Sequence, residues 1–177
     1  MKLISDPAEV ERLAEELAEE NWAFRNWIKL SFGFDDRRLM SVVHRLTEDV
    51  TARIDCTACA NCCRETPVLV DKADMERLAR HLDSDVQTLR STYLQRDEQK
   101  HWQLPAPCPL LAGNLCSVYD ARPSTCRQYP HLHNDFRAHS IARIQETFIC
   151  PIVFNVVEGM KAGLDWSGED ELDWLGW

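Results

Sequence analysis

The stretch CTACANCC, Cys56 to Cys63, packs four cysteines into eight positions, and clustered thiols do metal ligation or redox chemistry. Cys56, Cys59 and Cys62 recur every third residue, a spacing that brings three sulfurs to one centre from a tight loop or an irregular helical turn. The same C-x2-C-x2-C run supplies three thiolates to iron–sulfur clusters in ferredoxin-type loops, while zinc uses C-x2-C pairs in four-sulfur tetrahedra. The side chain of Cys63 is expected to leave the backbone in a different direction from that of Cys62. It then serves a second centre or points into the core.

A second group, Cys108, Cys116, Cys126 and Cys150, is spread along the chain with 7, 9 and 23 residues between successive members. Cys108 and Cys150 each precede a proline, which fixes the chain direction after the thiol and removes a competing backbone donor. Cys126 lies in RPSTCRQYP, where Pro123 suits the start of a helical turn carrying the thiol. Four thiolates around Zn2+ leave a net −2, which is costly to bury without compensation. Arg64, Arg122 and Arg127 lie within four residues of a cysteine and are candidate donors to sulfur or to nearby carboxylates.

The sequence around these thiols bounds what they do. Eight cysteines in 177 residues, about 4.5%, fall short of the roughly 8–10% of a disulfide scaffold. The N-terminal MKLISDPAEVERLAEEL has no apolar signal region, and no apolar run approaches the roughly 20 residues of a membrane span, so a cytoplasmic location with reduced thiols is expected. A composition 45% hydrophobic and 28% charged suits a globular fold. Net charge is −9, and five of the 29 acids sit in the tail from Asp165 to Trp177, leaving residues 1–164 with 24 acids against 20 bases. That mildly acidic body lacks the basic footprint of a nucleic-acid binder.

Helical periodicity supplies the scaffold. Asp6, Pro7 and Glu9 make a helix start, and Val10, Leu13, Leu17, Phe24, Trp27 and Ile28 mark one apolar stripe, stopped near Gly33. A second helix carries Leu39, Val43, Leu46, Val50 and Ile54 on one face. Pro67 to Val70 predicts a short strand, residues 72–82 a helix started by Asp71 or Asp74, and residues 86–94 another. Short apolar runs around Ala112-Gly113-Asn114 predict a β-hairpin, and SIARIQETFICPIVFNVVEGMKAGL predicts one helix or two, restarted at Pro151. The expected fold is mainly α: a small cysteine-rich helical domain with a short hairpin, organised around a metal site. It divides into a helical pair (1–55), a cysteine-cluster region (56–151) and a C-terminal helix with an acidic, Trp-rich tail (152–177), in one compact domain.

CTACANCC, CPLL, CSVYDARPSTCRQYP and the late CP together resemble the YkgJ-like cysteine-cluster proteins, a family of zinc- or iron-chelating domains with a CxxCxxCC signature. The resemblance runs from about Cys56 to Pro151 and covers all eight cysteines. It implies a metal site built from Cys56, Cys59, Cys62, Cys63, Cys108, Cys116, Cys126 and Cys150. One branch resembles flagellin lysine N-methylases, which carry a similar cluster in a longer chain. Helices one and two and the tail lie outside it.

Eight thiols permit two tetrahedral zinc sites, or one [4Fe–4S] cluster with four cysteines left over. The box carries no histidine and matches a ferredoxin run, which favours iron–sulfur. His131 and His133 form a lone H-x-H, a weak metal signal, and His44, His81, His101 and His139 have no spaced partner. The six glycines form no dinucleotide or phosphate loop, and neither G-x-S-x-G nor H-E-x-x-H occurs, so the sequence leaves an enzymatic role open without naming a catalytic residue. Gly159 and Gly163 make a G-x-x-x-G suited to helix packing. The tail alternates acids with Trp166, Trp174 and Trp177, a pattern that docks into a basic groove of a protein partner or onto its own body. Three functions are consistent with this: a redox, sensing or metal-chelating centre; a structural zinc protein that binds a partner; or a protein-modifying enzyme of the flagellin-methylase kind. Neither nucleic acid nor membrane is expected as a partner.

Overall fold

A computed structural model describes residues 2–30 and 35–168. They fall into two compact units: residues before Cys56 and after Tyr129 form one, and Cys56 to Tyr129 the other.

In the first unit, α1 (Pro7–Glu16) starts where the sequence predicts, with the Asp6 carboxylate accepting from the Glu9 N–H at 2.9 Å. The single long helix expected from Asp6 to near Gly33 is instead divided by a turn at Leu17, and α2 runs Ala18–Leu30. No glycine or proline marks that turn, and the buried stripe continues across it through Val10, Ala14, Asn21, Phe24 and Ile28. The predicted stop at Gly33 lies outside the described residues. Helix α3 (Asp36–Thr51) is capped by Asp35, which accepts from the Arg37 N–H at 2.8 Å, and it buries Leu39, Val43, Thr47 and Val50.

The second unit begins with two single-turn helices, α4 (Cys56–Cys59) and α5 (Asn61–Glu65), followed by the predicted strand as β1 (Val68–Leu69). Helix α6 (Lys72–His81) is capped by Asp71, which accepts from the Asp74 N–H at 2.7 Å, and α7 (Val86–Tyr93) by Asp85. Strands β2 (Gln95–Arg96) and β3 (Trp102–Leu104) complete an antiparallel sheet in the order β1-β3-β2, pairing Val68 with Leu104 and Arg96 with Trp102. The expected hairpin is β4 (Leu111–Ala112) with β5 (Leu115–Cys116), turning through Gly113 at φ +63°. A 3-10 turn (Tyr119–Ala121) and α8 (Ser124–Gln128) end the unit. Its core is Val70, Met75, Leu78, Leu89, Leu104, Leu110 and Val118, with Cys108 and Cys116 packed against it.

The chain then returns to the first unit with α9 (Ser140–Glu146) and α10 (Pro151–Gly163), so the predicted restart at Pro151 holds. Helix α10 is buried along most of its length, and the G-x-x-x-G pair serves packing: a Cβ on Gly159 would meet Leu46 Cδ2 at 2.9 Å. Among the described residues no single helix is long and apolar enough to cross a membrane. Of the tail tryptophans, Trp166 packs on Phe24 with ring centroids 5.2 Å apart, whereas Trp174 and Trp177 lie outside the described residues. The architecture is mainly helical with small antiparallel sheets.

Burial pushes the Glu146 carboxyl up to about 7, against the opposing pull of Arg143, whose Nη1 stands 2.8 Å from Glu146 Oε2. A carboxyl raised in the folded state favours folding fully below its unfolded value, near 4.5, and loses that contribution as pH rises through about 7. Stability is therefore expected to decline between pH 5 and 8, and Glu146→Gln to flatten the decline, as read from urea midpoints across that range. An unchanged slope in the variant would place the proton elsewhere.

Candidate metal centre

The cysteine box does not form one continuous helix. Ala60, between α4 and α5, adopts the left-handed region at φ 52°, ψ 16°, and is 5% exposed. Its N–H still donates to Cys56 O at 2.9 Å, and its carbonyl accepts from the Cys63 N–H at 3.1 Å. The chain is thereby turned between Cys59 and Cys62, which is the irregular helical turn the spacing predicts. An L-residue in this region costs roughly 1–2 kcal/mol, and a β-branched one more. Ala60→Val is expected to destabilise the box by about 2 kcal/mol and to reduce metal retention, while Ala60→Gly is tolerated. Thermal melts and metal content of the two variants check this; equal behaviour would show that the turn is not constrained.

Two further segments meet the box, the loop before the hairpin and the hairpin itself. The Cys108 N–H donates to Cys63 O at 2.8 Å, joining the loop before the hairpin to α5. Leu111 N–H donates to Cys108 O at 3.1 Å, and Cys116 stands opposite Leu111 in the β4–β5 pair. Arg64 laces box to turn: its Nη1 donates to Cys59 O at 2.9 Å, and its Nη2 reaches the Asn114 side chain. Asn114 in turn donates to Ala58 O at 2.7 Å.

The helix carrying Cys126 is held by a carboxylate. Asp74, 2% exposed, accepts from Ser124 N–H and Ser124 Oγ, both at 3.1 Å, and from Arg77. Arg77 also donates to Ala121 O at 3.3 Å and Arg122 O at 2.8 Å. The sequence suggests Asp74 only as a cap, and Arg77 is not singled out there. Its sole signal is an Asp–Arg pair three residues apart on a helix.

Of the three arginines expected beside sulfur, Arg64 and Arg127 spend hydrogen bonds on the scaffold, with Arg127 donating to Arg122 O at 2.9 Å and Asp120 O at 2.7 Å. Arg122 lies 3.4 Å from the Tyr119 ring centroid and donates to Tyr119 O at 2.8 Å. The positive charge of Arg122 also acts on Cys63, Cys116 and Cys126, and that of Arg64 on Cys63.

The thiols themselves differ. A hydrogen bond from the Cys62 thiol, aided by Arg64 and Arg122, brings Cys63 down to about 6 against the effect of burial. Burial and then the other thiols, Cys63 first, push Cys126 up to about 12, and burial raises Cys108 and Cys116. Cys62 and Cys63, expected to diverge, are thus within hydrogen-bonding reach of each other. Cys56 is exposed and Cys59 half-buried. Cys150 is buried in the other unit, at the N-terminus of α10. His131 and His133 also belong to that unit, where the His133 ring centroid is 5.3 Å from that of His44.

Among the described residues no group of three His, Cys, Asp or Glu side chains is already arranged to hold one ion. The donor chemistry nonetheless suits zinc or iron: every candidate is a soft sulfur, one is acidic, and neighbouring guanidinium groups offset thiolate charge. Cysteine ligands lose their protons on binding, so uptake of a metal by these thiols is expected to strengthen as pH rises.

Residues 55–148 match a family model whose description is "CxxCxxCC: Putative zinc- or iron-chelating domain". The matched span contains seven of the eight cysteines, and Cys150 lies two residues beyond it. No curated protein and no solved structure matches the chain.

Proposed function

This chain belongs to the CxxCxxCC family of zinc- or iron-chelating domains, and on that premise we propose that it holds an iron–sulfur cluster in a redox or sensing role. The observation that supports the proposal is the bonding of the box to further thiol-bearing segments: the Cys108 N–H donates to Cys63 O, and Asn114, in the hairpin that carries Cys116, bonds to Arg64 and to Ala58 O. When bound, such a cluster supplies one-electron chemistry tuned by charge and by hydrogen bonds to its sulfurs. The protein's part is to present Cys63 as a thiolate near neutral pH, to donate to it from Cys62, and to hold Cys126 in place through Asp74 and Ser124.

A second reading has zinc fixing the same loops for a protein partner. It draws on Leu115 (62% exposed) and Tyr119 (48% exposed), apolar side chains left in solvent next to the hairpin. Anaerobic purification followed by analysis for iron, zinc and acid-labile sulfide separates the two. Iron with matching sulfide and a brown colour supports the cluster. Zinc without sulfide in a colourless solution overturns it in favour of the second reading.

A further inference from the structure

Helix α3 and the loop before α9 bring together three side chains that lie far apart in the chain, all in the unit that does not contain the cysteine box. The His44 and His133 ring centroids are 5.3 Å apart, with the rings tilted by 43°. His44 Nε2 is buried and makes no hydrogen bond, so it carries the desolvation cost of a polar atom without a partner. Met40 stands one helical turn before His44 on α3, and its sulfur accepts from the Phe136 N–H at 3.4 Å, in the loop that carries His133. That loop is firmly placed. Leu132 and Phe136 are buried on either side of His133, and His131 takes the left-handed region at φ 58° while its carbonyl accepts from the Asn134 N–H at 3.2 Å. His133 itself is exposed, which leaves an entry path from solvent.

We propose that Met40, His44 and His133 form a site for monovalent copper, separate from the cysteines. Two imidazoles that bind one ion through nitrogens about 2.0–2.1 Å from it hold their ring centres roughly 5–5.5 Å apart, from tetrahedral to trigonal angles. The observed separation falls in that range. A thioether beside imidazole is a soft donor set, and thioether sulfur selects Cu(I). Charge points the same way. All three donors are neutral, and among the described residues no Asp or Glu completes a three-ligand group with the two histidines. A single positive charge is therefore less costly to place there than an uncompensated dication. The thioether keeps a second lone pair for the metal while it accepts from Phe136. This inference does not depend on the iron–sulfur reading, because none of its ligands is a cysteine.

The test uses the full chain, purified anaerobically with its metal and labelled with 13C at the methyl groups of its four methionines. The spectrum of Met40→Leu, a volume-conserving change, assigns the Met40 signal. Cu(I) is supplied at set free concentrations with bicinchoninate, beyond what the cysteines take up. The expected result is that the Met40 methyl shifts and saturates, while the signals of the buried Met75 and Met160 stay in place. In His133→Ala, a change at an exposed position, the same shift is expected to need about a hundredfold more free copper. A Met40 methyl that stays in place while the chain takes up copper at its cysteines would overturn the site, whatever those cysteines hold. An unchanged response in His133→Ala would overturn the ligand set. Zinc moving the same signal at a lower free concentration would overturn the choice of copper.

Discussion

Stripping metal from the intact chain with a strong chelator is expected to speed amide hydrogen exchange about a hundredfold or more in residues 56–66 and 105–128, with little change along α10. A ligand present at 100 times its dissociation constant stabilises the state that binds it by about 2.7 kcal/mol, which corresponds to that factor, and structural zinc contributes more. The loops concerned have little of their own to hold them. They contribute Leu110, Val118 and Ala121 to the core, while the rest of that unit's buried side chains come from Val70, α6, α7 and β3. Helix α10 answers to a different core, where Val10, Ala14 and Phe154 pack and Asn155 bonds to both the N–H and the carbonyl of Ile4. Exchange unchanged in both regions would mean that metal, if bound, does not organise the loops.

Asp74→Ala is expected to lower stability by about 3 kcal/mol, a fall of roughly 6–12 °C in melting temperature for a chain of this size. Removing one partner of a buried pair leaves the other charge uncompensated, and Arg77 keeps only 32% of its side-chain surface in water. The loss extends further, because the Ser124 N–H and hydroxyl also lose their acceptor. Asp74→Asn keeps an acceptor for Ser124 but gives up the ion pair, so its melting temperature falls between those of wild type and Asp74→Ala. Because α8 carries Cys126, the alanine variant is also expected to bind metal more weakly, measured by chelator competition. A melting temperature within about 2 °C of wild type would show that Ser124 and Arg77 find other partners.

Much of this structure is legible in the sequence because short-range rules govern it. Asp6 and Asp71 each cap the helix that follows, and Ala112-Gly113-Asn114 makes its hairpin. Strands β2 and β3 escape such rules: at two and three residues they are too short to show alternation and exist because β3 lies between two partners. The turn at Leu17 is invisible for the opposite reason, since the apolar stripe runs through it without interruption. At the metal centre, spacing identifies the box but not its pairings. That Cys63 O accepts from the Cys108 N–H depends on residues far apart in the chain, as does the hold of Asp74 on Ser124. Cys–Pro at position 150 looks like its counterpart at 108, yet only Cys108 lies in the same unit as the box.

The division into units also sets an order of assembly during synthesis. Helix α3 packs mainly against α10, and those two are separated in the chain by the whole of the cysteine unit. As the polypeptide emerges from the ribosome, Cys56 to Tyr129 is complete while the three N-terminal helices still wait for the segment that covers them. At about 5–20 residues per second the interval to the end of α10 lasts roughly 2–7 s. During that time the whole cysteine unit is free to fold, while Leu39, Val43 and Val50 remain in search of cover. The cysteine unit can therefore complete its own core before the other core closes.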